Sequence, residues 1–161
     1  MNKDIESALT KGLLTGYAGG KVESVNRGGF AGKASHIEFP DGGTYHDEWF
    51  ANHSGGGQEL VQVGDSLFTR LYAGGTPDEQ TLSSLGISAS DVGAYLKRKI
   101  TELGESTRLM KESTPEPDGD WQYAYKITGN FSETSVTTAL ESIEYKGTVV
   151  HHHAFILCPV R

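Results

Sequence analysis

Two segments with the same pattern constrain the fold more than any other feature of the sequence. Residues 58–68 and 140–150 align without a gap, and in each a two-residue turn separates two runs of alternating apolar residues. Glu59 matches Glu141 in this alignment. Because such a pattern is typical of a β-hairpin, the sequence predicts two equivalent hairpins. We interpret them as the two halves of an internal repeat.

The rest of the chain predicts a helix and further strands around each hairpin. Apolar residues at helical spacing predict a helix over 4–16 and another over 88–103, which begins at a capping box of Ser88 and Asp91. Alternating residues predict strands at 35–39, 44–51, 58–63, 66–72, 121–128, 140–145 and 148–157. Turn-forming and polar residues predict connections at 19–33, 74–87 and 105–120.

We therefore predict an α+β fold. Two pseudo-symmetric helix-plus-antiparallel-strand units form one mostly antiparallel sheet assembly with two helices. The 161 residues are of single-domain length. We take 1–161 as one domain, with repeat units at about 1–75 and 86–161.

Composition excludes several classes of protein. The net charge of −7 without a basic stripe argues against direct nucleic-acid binding. The 21 glycines have no three-residue period, which excludes collagen. No signal peptide or apolar run of membrane-spanning length is found, and Cys158 has no second cysteine to pair with. We expect a cytoplasmic protein without membrane contact, and a homodimer stays open.

The hairpin turns also predict which side chains face each other. In the first hairpin Glu59 faces Arg70, and in the second Glu141 faces His152. Each unit then holds a carboxylate beside a basic partner. These pairs either lie on a solvated sheet face or face each other in a cleft between the two halves.

Aromatic residues at alternate strand positions predict either the walls of a pocket or the core between sheet and helices. They are combined with the charged hairpin residues into one candidate ligand site. Its members are Tyr45, Trp49, Glu59, Arg70, Trp121, Tyr123 and Glu141.

The histidine run at 151–153 indicates a histidine-bearing sheet face or pocket edge. His151 and His153 share one strand face, and a His-x-His pair can supply two ligands to zinc or copper. No spacing selects a third ligand among His36, His46, His53 or a carboxylate. We therefore expect neither a bound metal nor a cofactor.

Three short motifs resemble a known bacterial family. Residues 45–50 (YHDEWF), 57–61 (GQELV) and 72–74 (YAG) resemble the uncharacterised domain that is often fused to XRE-type helix-turn-helix regulators. Two features depart from that family: no helix-turn-helix precedes the motifs, and residues 154–158 replace the family's His-Gly-Gly-like ending. The order of elements is also similar, at the level of the fold, to GyrI-like effector-binding domains. That similarity implies a ligand between two halves, with an acidic residue in the pocket.

Three functions are compatible with these observations. The leading hypothesis is an effector-type domain that binds a small apolar or cationic organic molecule in a cleft between the units. The alternative is a small hydrolase or isomerase that uses the same cleft, with Glu141 and His152 as the acid–base pair and Glu59 as a further catalytic carboxylate. The third is a protein-interaction or immunity-type module.

Overall fold

The structure is a computed structural model that describes residues 1–161. Its largest element is one antiparallel sheet of eight strands. The sheet order is β1-β2-β3-β4-β5-β8-β7-β6. The elements are α1 (Lys3–Leu13), a π-helical turn (Leu14–Ala18), β1 (Glu23–Arg27), β2 (Phe30–Glu38), β3 (Gly43–Ala51), β4 (Ser54–Val63), β5 (Ser66–Gly75), α2 (Glu79–Ser84), α3 (Ala89–Leu103), a 3-10 turn (Gly104–Ser106), β6 (Trp121–Phe131), β7 (Val136–Tyr145) and β8 (Thr148–Val160). The predicted α+β class with a mostly antiparallel sheet is confirmed.

Two glycine-rich stretches form strands, and one of them is the predicted connection 19–33. Residues 23–27 form β1 and residues 30–33 begin β2, joined by a turn in which Gly28 and Gly29 adopt positive φ angles. The glycine tract at 55–57 lies inside β4, where its backbone pairs with β3 on one side and β5 on the other. Pairing on both sides holds these glycines in extended conformation despite their low strand preference.

A third helix, α2, lies within the predicted connection 74–87. The Asp78 side chain caps its first turn by accepting a hydrogen bond from the Thr81 backbone N–H at 2.7 Å. This capping signal was missed because α2 has only six residues.

Helices α1 and α3 bury equivalent faces. Each has five buried residues at the spacing i, i+3, i+4, i+7 and i+8, which places them on one side of a helix. They are Ile5, Ala8, Leu9, Gly12 and Leu13 in α1, and Val92, Tyr95, Leu96, Lys99 and Ile100 in α3. The predicted capping box of α3 is confirmed. Both faces belong to one hydrophobic core with the inner face of the sheet.

The first hairpin has the predicted register, with Glu59 opposite Arg70. The second does not: a β-bulge between β7 and β8 leaves Val150 unpaired and places Glu141 opposite His153. His152 therefore lies opposite Ser142 and is exposed on the other face of the sheet. The predicted Glu141–His152 pair is wrong because a bulge adds one residue to one strand only.

The two helical glycines give a matched test of the packing. A Cβ atom added to Gly93 meets no atom within 4 Å, whereas one added to Gly12 overlaps the Tyr45 ring. We expect Gly93→Ala to raise the free energy of unfolding by about 0.5–1 kcal/mol, since alanine favours a helix over glycine. Gly12→Ala should lower it by about 1–3 kcal/mol through overpacking. Urea unfolding measures both, and equal effects would contradict this packing.

Candidate functional site

A buried cluster of three residues occupies the first hairpin. The Arg70 guanidinium donates two hydrogen bonds to the Glu59 carboxylate, one of them from Nη2 to Oε1 at 2.6 Å. The Tyr45 hydroxyl donates a third at 2.7 Å. Glu59 and Arg70 are each 1% exposed. With all of these partners in place, the ion pair is satisfied inside the protein.

A second cluster of the same composition lies around Glu141. The Arg108 guanidinium donates to both carboxylate oxygens, at 2.7 and 2.6 Å, and the Tyr123 hydroxyl donates at 2.7 Å. Burial opposes ionisation of this carboxylate, but the Arg108 guanidinium holds the pKa of Glu141 well below its usual range. Here the arginine comes from the segment after α3, and His153 occupies the cross-strand position that Arg70 has in the first cluster.

Residues 107–109 join the two clusters. The Arg70 guanidinium donates to the Arg108 carbonyl, and the Tyr125 hydroxyl donates to the Leu109 carbonyl at 2.9 Å. The Thr107 and Tyr123 hydroxyls share a hydrogen bond. Arg108 has a φ of 56°, which is uncommon for a residue other than glycine. This part of the predicted polar connection 105–120 is therefore a buried segment held from three strands.

A cavity of about 260 Å³ lies beside these clusters, between the sheet and helix α3. Its lining comes from the π-helical turn, β3, β4, β5, α3, Arg108 and β8. The lining includes Tyr17, Asp47, Trp49, Glu59, Tyr72, Val92, Gly93, Leu96, Arg108, His151 and His153.

The predicted ligand residues divide into three groups. Trp49 and Glu59 line the cavity. Tyr45, Arg70, Tyr123 and Glu141 lie behind its wall in the two buried clusters. Trp121 lies outside the lining and stacks on Tyr95 of α3, with ring centroids 4.8 Å apart.

Asp47 is the acidic group of the cavity that has no basic partner. It is 2% exposed, and it accepts one hydrogen bond, from the Tyr72 hydroxyl at 2.9 Å. Burial, and next the charge of Glu59 directly opposite on β4, raise the pKa of Asp47 to about 8. Burial also raises the pKa of Tyr72 far above its usual value, so its hydroxyl remains a hydrogen-bond donor.

Aromatic side chains flank Asp47. Trp49, two residues further along β3, meets the Tyr17 ring edge-to-face with centroids 6.0 Å apart. Gly57 lies between Trp49 and Tyr72 in the strand register, and a Cβ atom there would come within 2.7 Å of both side chains. Glycine at this position leaves room for both rings on the inner face.

Two histidines of β8 complete the cavity wall. The distances from Glu141 Oε2 are 3.5 Å to His151 Nε2 and 3.6 Å to His153 Nδ1. Neither nitrogen has a hydrogen-bond partner. Burial lowers the pKa of His153, which favours its neutral form.

Sequence reasoning missed Asp47, Tyr72 and Arg108 as site residues. The signal for Asp47 was available, because it alternates with Tyr45 and Trp49 on one strand face. Tyr72 stood in the YAG motif. Nothing in the sequence distinguishes Arg108 from other charged residues of its connection.

A larger cavity of about 410 Å³ lies elsewhere, and its lining contains no charged side chain. Its residues are Met1, Asn2, Ile5, Ser66, Leu67, Phe68, Met110, Asn130, Ser132, Ser135 and Pro159. The smaller cavity is the candidate site because it combines apolar walls with convergent polar groups.

Comparison with protein-family models, curated proteins and solved structures finds no match to this chain. The resemblance to the regulator-associated domain therefore stays a prediction. None of the helices has the length and apolar character needed to cross a membrane.

Removing one charge from the second cluster tests its role in stability. Glu141→Gln leaves Arg108 buried without an anion, so we expect the free energy of unfolding to fall by about 3–5 kcal/mol. Glu48→Gln is the control, because Glu48 pairs with Arg27, whose side chain is 59% exposed. That change should cost at most about 1 kcal/mol. If chemical denaturation gives similar losses of unfolding free energy for both variants, the buried pair contributes no more to stability than the exposed pair.

The pKa of Asp47 predicts a pH-dependent cost of folding. Its folded pKa of about 8 lies above the usual 3.8, so between these values the native state holds a proton that the unfolded state has lost. Wild-type stability relative to Asp47→Asn should therefore fall by about 2–4 kcal/mol from pH 5 to pH 8.

Denaturation at both pH values measures this difference. Asp41→Asn serves as control, because the Asp41 side chain is 74% exposed. The unfolding free energies of wild type and Asp41→Asn should change by the same amount between the two pH values. A constant difference between wild type and Asp47→Asn would show that Asp47 is ionised in the folded protein.

Proposed function

We propose that the protein binds a small organic cation with an apolar or aromatic body in the cavity beside Asp47. The observation that carries this proposal is the buried Asp47 carboxyl group, which lines the cavity and forms no salt bridge. A buried carboxylate without a cation is costly. A ligand ammonium group would supply the missing counterion.

The cavity walls suit the apolar or aromatic body of such a ligand. Tyr17, Trp49 and Tyr72 contribute aromatic side chains to the lining, and such side chains attract cations and pack against aromatic rings. On the opposite side α3 contributes Val92, Leu96 and the open position at Gly93. A cavity of about 260 Å³ accommodates a compound of one or two rings.

The charges around the cavity favour a cation over an anion. Arg70 donates two hydrogen bonds to Glu59, and Arg108 donates two to Glu141. Each guanidinium charge is therefore already balanced by a carboxylate in a bidentate pair. Asp47 is left as the unpaired charge-bearing group.

Acid–base catalysis at the same cavity is the second candidate. A carboxyl group with a pKa near neutral beside a tyrosine hydroxyl can exchange a proton with a bound substrate. Asp47 is better suited to that role than Glu141, because Arg108 holds both oxygens of Glu141. Turnover of a bound compound that stops in Asp47→Asn would establish the enzyme. A protein-interaction role is less favoured, because Trp49 and Tyr72 line a cavity instead of a flat surface patch.

The affinity for an aryl-alkyl amine tests the proposal. Phenethylamine is the probe, and phenethyl alcohol, which has the same body without charge, is its control. The charges of Glu59, Arg70 and Arg108 act on the Asp47 carboxyl group, Tyr72 donates to it, and Tyr17 and Tyr45 interact with it electrostatically. Below pH 8 the amine must displace the Asp47 proton, so its affinity should rise by up to about tenfold per pH unit and level off above pH 8.

Calorimetry from pH 5.5 to 9 measures this dependence. Asp47→Asn should weaken amine binding and abolish the pH dependence, while leaving the weaker binding of the alcohol unchanged. Gly93→Trp should block both compounds, because its side chain projects into open space at the cavity. Equal binding of amine and alcohol, or an unchanged affinity in Asp47→Asn, would overturn the proposal.

A further inference from the structure

We infer that Glu141, His151 and His153 form a binding site for a zinc-type transition-metal ion at the edge of the cavity. The three residues offer one carboxylate oxygen and two imidazole nitrogens, and these atoms all lie within 4.8 Å of one another. This site uses residues other than Asp47, and it does not depend on the proposed cation binding.

The two histidine-to-carboxylate distances match a metal site better than a hydrogen-bonded cluster. His151 Nε2 and His153 Nδ1 lie 3.5 and 3.6 Å from Glu141 Oε2, longer than ordinary hydrogen bonds. Zinc bonds of about 2.0–2.2 Å in a tetrahedron place neighbouring ligand atoms roughly 3.3–3.6 Å apart. Both separations are therefore close to the edges of a zinc coordination tetrahedron.

The unpaired imidazole nitrogens are the independent evidence for a ligand. His151 is only 5% exposed, and its Nε2 atom has no hydrogen-bond partner. The Nδ1 atom of His153 is also buried without one. Buried polar atoms are almost always satisfied, so two such atoms aimed at one carboxylate oxygen need an explanation. A shared metal ion satisfies both.

The surroundings are compatible with three protein ligands and an open fourth position. Both histidines line the cavity, so a water molecule or small ligand can reach the ion from that side. Arg108 donates to both oxygens of Glu141, and Tyr123 donates to Oε1. Hydrogen bonds of this kind commonly orient ligating carboxylates. Two nitrogen ligands and one oxygen favour zinc over magnesium or calcium, which take mainly oxygen ligands.

Titration of the protein with Zn²⁺ and Co²⁺ alone tests the site. The organic cation is omitted because a second positive charge in the cavity should weaken metal binding. A histidine tag must be absent, and all proteins carry His36→Ala, because His36 and His46 form a surface pair with ring centroids 5.7 Å apart. We expect one metal equivalent per chain, a raised Tm with Zn²⁺, and the intense visible bands of tetrahedral Co²⁺.

The histidine run supplies a matched control. His151→Ala and His153→Gln should each weaken Zn²⁺ affinity by at least about 100-fold. His152→Ala should leave the affinity unchanged, since His152 is exposed on the opposite sheet face. Circular dichroism verifies folding of each variant.

The inference is overturned if less than one equivalent binds, if Co²⁺ gives no tetrahedral bands, or if His153→Gln retains full affinity. Loss of binding in His152→Ala would overturn it as well. The tetrahedral Co²⁺ spectrum is measured on protein with β8 intact, so the test does not depend on folding of the site variants. A failure of zinc binding would not bear on the proposed cation site, which the amine titration at Asp47 tests separately.

Discussion

The buried chain of charges from Glu59 through Arg70 and Arg108 to Glu141 is the interaction on which the site depends. Removing four charges from water is expensive, and only nearly complete hydrogen bonding offsets that cost. Arg108 contributes two groups to this bonding: its guanidinium donates to Glu141, and its backbone carbonyl accepts from Arg70. One residue thereby fixes the relative positions of both clusters and of the segment between α3 and β6.

This arrangement explains why Asp47 is the distinctive group of the cavity. Every other acidic side chain nearby has an arginine partner, while Asp47 has only a tyrosine hydroxyl and a carboxylate neighbour. Such a position lowers stability near neutral pH, and a hydrophobic residue there would avoid that cost. A retained cost of this kind is characteristic of binding and catalytic sites.

The fold class, the α3 capping box and the first hairpin were predictable because each depends on residues near one another in sequence. The pairing of Glu59 with Arg70 follows from a two-residue turn alone. The site was less predictable, because its geometry depends on long-range packing. Arg108 reaches Glu141 across 33 residues, and the bulge in the second hairpin leaves no clear signal in residues 140–150. The Glu141–His152 prediction failed for that reason.

The same bulge gives the second hairpin a property that a regular strand lacks. Val150 and His151 are consecutive, yet both are buried on the inner side, one in the hydrophobic core and the other at the cavity. In a regular strand consecutive side chains point to opposite faces, so only one of Val150 and His151 could lie on the inner side. With the extra residue, Val150 packs in the core and His151 still reaches the cavity. One inserted residue in one strand therefore changes which side chains line the cavity, while the pairing of the rest of the sheet stays the same.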